Sequence, residues 1–76
     1  MDIKIVKTEY LSDNMERWQI CLPKAQFMEF GFYVEALDGV ALHRRSFEAD
    51  NLMEVDVAIG FKDVMLDLIT ALQRQE

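Results

Sequence analysis

The chain has 76 residues, with 14 acidic side chains against 8 basic ones and a net charge of −6. Nucleic acids and anionic membranes select clustered lysine and arginine, so this composition argues against both as partners. A single cysteine, Cys21, excludes an internal disulfide and a cysteine-based zinc site, which favours a reducing, cytoplasmic setting. No signal peptide or membrane-length apolar segment is recognisable. The length predicts one domain, residues 1–76, whose small core favours self-association.

Two strands open the chain. Residues 3–11 are rich in β-branched and aromatic side chains, and residues 12–14 have turn chemistry. Residues 16–22 alternate cleanly, with Trp18, Ile20 and Leu22 on one face and Arg17, Gln19 and Cys21 on the other. The short connection predicts an antiparallel hairpin.

A helix is predicted over residues 24–37, because Pro23 suits a helix start and the apolar residues recur at helical spacing. The predicted core stripe contains Phe27, Phe30, Gly31, Val34 and Leu37. Asp38-Gly39 ends the helix, with Gly39 able to adopt the left-handed conformation. A glycine inside a helix costs about 1 kcal/mol relative to alanine, so Gly31 indicates close packing on the sheet.

The second half predicts a strand over 40–47, a turn over 48–51, a strand over 52–59 and a helix over 61–73. The last strand alternates most clearly, with Met53, Val55, Val57 and Ile59 facing inward. The core stripe predicted for the second helix is Phe61, Val64, Met65, Leu68 and Leu72.

This element order predicts an α+β fold of the ferredoxin-like kind, ββαββα. Its four antiparallel strands would lie in the order 1-2-4-3, with both helices on one face of the sheet. The predicted open face carries Arg17, Gln19, Cys21, His43, Arg45, Glu54 and Asp56. Arg45 and His43 would then face Glu54 and Asp56 across a hairpin, a favourable cross-strand arrangement.

The strand ending in Leu22-Pro23, the aromatic helix 27–37, the Asp38-Gly39 turn and the hairpin into a C-terminal helix resemble ACT-like regulatory domains. More narrowly, the stretch FMEFGFYVEALDGVA is similar to a bacterial family of short ACT-like proteins, over about residues 16–74. The resemblance implies a dimer that binds a small effector, often an amino acid, beside the loop after the first strand of the family fold. That loop is residues 21–25 here and contains no glycine, so no ligand residue is transferred.

Catalytic and metal-binding signals are weak. His43 is the only histidine, and the sequence names no nucleophile or orienting partner for it. Cys21 would be reactive if Arg17 or Arg45 lay beside it; otherwise it is a small apolar residue. No metal-ligand spacing or glycine-rich phosphate loop occurs, so no cofactor is predicted.

An apolar strip lies on the outer side of the first predicted helix, and we call Ala25, Met28, Phe32 and Ala36 the apolar strip. Either the second helix covers part of it, or it is exposed and binds another molecule. The predicted interface residues are Ala25, Met28, Phe32, Ala36, Arg45, Glu54 and Asp56.

The leading functional hypothesis is a non-enzymatic regulatory or ligand-sensing homodimer with a small effector between its protomers. The alternative is an adaptor that binds a protein partner through the apolar strip or the open sheet face. A small enzyme using Cys21 or His43 is a third reading, disfavoured because a short chain rarely supports a catalytic constellation and the residues that orient it.

Overall fold

The computed structural model describes residues 1–12, 14–37, 39 and 41–74. The element order is β1 (Lys4–Ser12), β2 (Met15–Cys21), α1 (Phe27–Ala36), β3 (Ala41–Arg45), β4 (Leu52–Ala58) and α2 (Lys62–Gln73). A short 3₁₀ turn precedes each helix, at Lys24–Gln26 and Ile59–Phe61. Neither helix is long and apolar enough to cross a membrane, as far as the described residues extend.

The strands form one antiparallel sheet in the order β1-β2-β4-β3, which confirms the predicted topology. The β1–β2 register is interrupted twice, between Ile5 and Lys7 and between Tyr10 and Ser12, whereas β2–β4 runs without interruption from Met15 to Cys21. Gly39 has φ of +80°, the left-handed conformation predicted for the end of the first helix. Asp13, Asp38 and Val40, which the predicted turns and third strand included, lie outside the described residues.

One hydrophobic core lies between the sheet and the two helices. It contains Ile3, Trp18, Ile20, Leu22, Phe27, Phe30, Val34, Met53, Val55, Val57, Met65, Ile69 and Leu72. The strand residues in this set share one face of β2 and β4, and α1 contacts β3 while α2 contacts β4. Each large apolar side chain buried this way contributes about 2 kcal/mol. The helices therefore cover one face of the sheet, as predicted.

The stripe predicted for α1 is confirmed, with Leu37 half-buried at its end. The stripe predicted for α2 is only partly correct. Met65 and Leu72 are buried, but Phe61 and Val64 are exposed and Ile69 takes an inward position. Phe61 belongs to the 3₁₀ turn rather than to the α-helix, so helical spacing counted from it points in the wrong direction.

The predicted side-chain orientation of β3 is wrong. Leu42 lies opposite Asp56 and Arg44 opposite Glu54, whereas Arg45 pairs with Met53 and His43 with Val55. A slip of one residue moves every side chain of a strand to the other face. His43 and Arg45 therefore lie on the helix-covered face, and Arg44 takes the place predicted for Arg45 beside the acidic residues.

Candidate interaction surfaces

The open face of the sheet carries a network of ion pairs around Asp56. Nε of Arg17 donates to one carboxylate oxygen at 2.9 Å, and Nη2 of Arg17 and Nη1 of Arg44 reach the other at 3.3 and 3.0 Å. Nε of Arg44 also donates to Glu54 at 3.0 Å. This network leaves Asp56 only 8% exposed on a face that no helix covers.

The electrostatics of Asp56 follow from this geometry. Hydrogen bonding from Arg17, and then from Arg44, lowers the pKa of the Asp56 carboxyl below its ordinary value despite partial desolvation. The same bond from the other side raises the pKa of Arg17. Both shifts favour the charged forms that are already present at neutral pH, so Asp56 and Arg17 form an ion pair at that pH.

The loop between β3 and β4 folds back over the open face. Gln19 donates to Glu48 at 3.1 Å, and the Glu48 backbone amide donates to the buried Ser46 hydroxyl at 3.1 Å. At the outer side of this loop the Phe47 ring is fully exposed. The loop thus ties its acidic residue to the sheet while presenting an aromatic residue to solvent.

A second polar cluster fixes the start of α2 over β2. The indole N–H of Trp18 donates to one oxygen of Glu16 at 3.0 Å, and Nζ of Lys62 donates to the other at 3.1 Å. These two bonds, the one from Trp18 first, lower the pKa of Glu16. Glu16 is therefore a structural carboxylate that joins a strand, the core tryptophan and a helix.

His43 lies under α1. Its Nε2 is 3.2 Å from Oε1 of Glu35, and an added Cβ at Gly31 would come within 2.8 Å of the imidazole Cε1. The close packing predicted for Gly31 is thereby confirmed, and its partner is the histidine. Arg45 lies 5.5 Å above the ring centre of Phe27, a cation–π distance.

Cys21 is half-buried at the end of β2, opposite Lys4 and Leu52 in the sheet register. It accepts a hydrogen bond from the Asn51 side chain at 3.3 Å. Neither of the arginines that sequence reasoning considered as an activator is available. Arg17 is bound to Asp56, and Arg45 is on the other face of the sheet.

The apolar strip on α1 is exposed. Met28 and Phe32 have 73% and 64% of their surface accessible, and Ala25 and Ala36 are also exposed. The alternative that α2 covers the strip is wrong, because the two large side chains of the strip are open to solvent. The interface role assigned to the strip stays a prediction, as it does for Arg45, Glu54 and Asp56.

Sequence reasoning missed the outer edge of β1 as a surface. All residues of β1 are exposed except Ile5, which is half-buried, and β1 has a neighbouring strand only on its β2 side. The exposed side chains include Val6, Tyr10 and Leu11. The imperfect alternation of residues 3–11 was the available signal, since adjacent Ile5 and Val6 coincide with the first register irregularity.

The fold and its surfaces define a ferredoxin-like α+β domain with one open sheet face and two free sheet edges. Within the described ranges, no three His, Cys, Asp or Glu side chains lie close enough to hold a metal ion. Comparisons of the chain with protein-family models, with curated proteins and with solved structures returned no match.

Proposed function

We propose that this domain is a small non-enzymatic regulatory module that acts as a homodimer, with a small effector held between its protomers. The observation that carries the proposal is the amount of exposed apolar surface on so short a chain. Among the described residues, the exposed large apolar ones are Val6, Tyr10, Leu11, Met28, Phe32, Leu42, Phe47, Phe61, Val64 and Leu66. Such a set supports association with another molecule.

The distribution of charge supports binding over catalysis. Hydrogen-bonded partners lower the pKa of Glu16 and of Asp56 and raise the pKa of Arg17, and each shift stabilises the charged form present at neutral pH. Catalytic acids and bases are usually shifted toward neutrality instead. The half-buried thiol of Cys21 suits a reducing compartment, so we place the module in the cytoplasm.

Two measurements test the proposal. Light scattering should give twice the 8.9 kDa chain mass at high micromolar concentration; a strict monomer would remove the homodimer. A thermal-shift screen against amino acids and other small metabolites should find a stabilising compound, since a ligand at 100 times its Kd adds about 2.7 kcal/mol. A dimer that no compound in the panel stabilises would contradict the sensing role and leave the dimer intact.

A second candidate function is an adaptor that binds a protein partner through the apolar strip. The exposure of Met28 and Phe32 favours it. Phe32→Glu should abolish partner binding while changing the free energy of unfolding by less than about 0.5 kcal/mol, as is usual for an exposed position. Glu29→Gln, an exposed α1 position outside the strip, is the matched control. Unfolding of the Phe32 variant would contradict the adaptor hypothesis, because the ring would then belong to the core.

A further inference from the structure

The outer edge of β1 carries a pattern that is complementary to itself. Lys7 and Glu9 flank Thr8, and their register against Gln19 and Arg17 places both on the open face. Val6 and Tyr10 follow on either side and are exposed, Tyr10 by 76%. The segment therefore has opposite charges on the open face at equal distances from Thr8, with exposed apolar side chains beyond them.

We propose that β1 pairs antiparallel with β1 of a second copy of this chain around a two-fold axis at Thr8, and so forms a continuous eight-stranded sheet. The inference rests on the proposed homodimer and names its interface. Lys7 would face Glu9 of the second copy, twice by symmetry. Opposite charges at facing positions stabilise an antiparallel pair.

The two register irregularities in β1 limit the length of edge over which the pairing can run, and the charges within that length favour one register. They lie between Ile5 and Lys7 and between Tyr10 and Ser12, so the regular part of the edge is short. Centring the pair on Lys7 or on Glu9 would bring like charges together, which disfavours it. Pairing centred on Thr8 is the register in which Lys7 directly faces an acidic side chain.

The other free edge does not offer such complementarity. β3 has the sequence Ala41-Leu42-His43-Arg44-Arg45 and no acidic residue. Antiparallel self-pairing centred on Arg44 would bring two arginines together, and pairing centred on His43 would place Arg44 against Leu42. Arg44 is also already bound to Glu54 and Asp56. Charge complementarity therefore selects the β1 edge for a second copy.

The faces of the two protomers stay aligned in this arrangement. A two-fold axis through an antiparallel strand pair, perpendicular to the sheet, keeps both sets of helices on the same side. Thr8 and Tyr10 face that side, because they lie opposite Trp18 and Glu16. The helix-side face of the two paired β1 strands would thus lie between the two α2 helices. The small effector of the proposed module would bind on that face, between the two chains.

Charge reversal tests the register. Lys7→Glu and Glu9→Lys each replace two attractive facing pairs by two repulsive ones, so each variant alone should self-associate about thirty-fold more weakly, equivalent to about 2 kcal/mol. An equimolar mixture of the two variants restores two attractive pairs. Native mass spectrometry of that mixture, with one variant isotope-labelled, should show a heterodimer of wild-type affinity.

The control and the contrary outcomes separate the interface from the dimer. Glu29→Lys, a charge reversal at an exposed position of α1, the helix that packs on β3, should leave association unchanged. A wild-type dimer that tolerates both β1 variants, or is weakened by Glu29→Lys instead, would overturn the β1 interface and leave the homodimer standing. A mixture that fails to form heterodimers would also overturn it. A wild-type chain that stays monomeric at high micromolar concentration would remove the homodimer itself.

Discussion

The two edge strands of this sheet differ in how the rest of the chain holds them. β3 is covered on one face by α1, where Gly31 makes room for His43, and is bound on the other face through Arg44. β1 reaches the core through the buried Ile3 before it, whose carbonyl accepts a bond from Gln73 at 2.9 Å, and through the half-buried Ile5. Beyond that anchor its side chains are largely exposed.

This difference shows that the exposure of an edge strand depends on the elements that pack on it as much as on its own residues. β3 carries only basic charges and uses them within the chain, whereas β1 carries both signs. Lys7 makes no ion pair with any described residue, and Glu9 lies across from Arg17, with which it interacts electrostatically without a hydrogen bond between their side chains. A strand that carries exposed charges of both signs, on a free edge of the sheet, is suited to pairing with a partner strand.

The anchor of β1 gives the largest expected effect. Ile3→Ala removes a buried side chain and should lower the free energy of unfolding by about 3 kcal/mol. Val6→Ala, three positions along and exposed, should change it by less than about 0.5 kcal/mol. Urea denaturation measures both. Equal losses for the two variants would mean that β1 is packed along its whole length.

The ion pairs that hold β3 from the open face give the next effect. Asp56→Asn weakens three charge-assisted hydrogen bonds and should cost about 2 kcal/mol at neutral pH. Leu42→Ala, directly opposite in the register but exposed, is the control and should cost much less. An Asp56→Asn variant with an unchanged free energy of unfolding would mean that the ion pairs to Arg17 and Arg44 do not stabilise the fold.

The Asp56→Asn variant also tests how the stability of the fold depends on pH. The folded pKa of Asp56 lies below its ordinary value of 3.8. Its contribution is therefore present above that pH and is lost as the pH falls through the folded pKa. The wild type should lose stability at acid pH, and Asp56→Asn should show a smaller acid loss in denaturation curves. An unchanged acid slope would contradict the assignment, although Glu16 adds a loss of the same sign below its ordinary value of 4.5.

The contact between α1 and β3 should reverse the effect of Gly31→Ala on stability between two backgrounds. Gly31→Ala places a Cβ against the imidazole of His43 and should destabilise the wild type by about 1 kcal/mol. In a His43→Ala background the same change should stabilise by about 1 kcal/mol, because alanine is the better helix former. Thermal or urea denaturation of the four chains measures the coupling. The same sign in both backgrounds would mean that the histidine does not limit the space.

The smallest effect on stability is expected at Tyr10. Tyr10→Ala should leave the free energy of unfolding within about 0.5 kcal/mol of the wild type. It should nevertheless weaken self-association about ten-fold, because each copy loses a large apolar side chain from the paired edge. Phe47→Ala, at a fully exposed aromatic in the β3–β4 loop, should leave association unchanged. Sedimentation velocity over a dilution series distinguishes the two variants.

The sequence predicted the element order, the sheet order and most of the core, because strand and helix periodicities differ clearly in β2, β4 and α1. It failed at β3, where Leu42 is the residue in solvent. Five residues with both apolar and basic members do not show which face is buried, and the answer depends on the gap that Gly31 leaves for His43.

The site could be predicted only in part. Helical spacing identified Met28 and Phe32 as outward-facing residues, and their exposure agrees with it. The predicted strand order already placed β1 at an edge of the sheet, but that edge was not recognised as an interaction surface. The exposure of β1 along nearly its whole length, which the imperfect alternation of residues 3–11 does not reveal, leaves the charges around Thr8 accessible to a second copy.

Amide hydrogen exchange measured by NMR at increasing protein concentration tests the central claim most directly, since it reports on both edge strands in one sample. The account predicts that protection of residues 7–10 increases with concentration while that of Ala41–Arg45 stays constant. Concentration-independent exchange in residues 7–10, or an increase confined to β3, would contradict it.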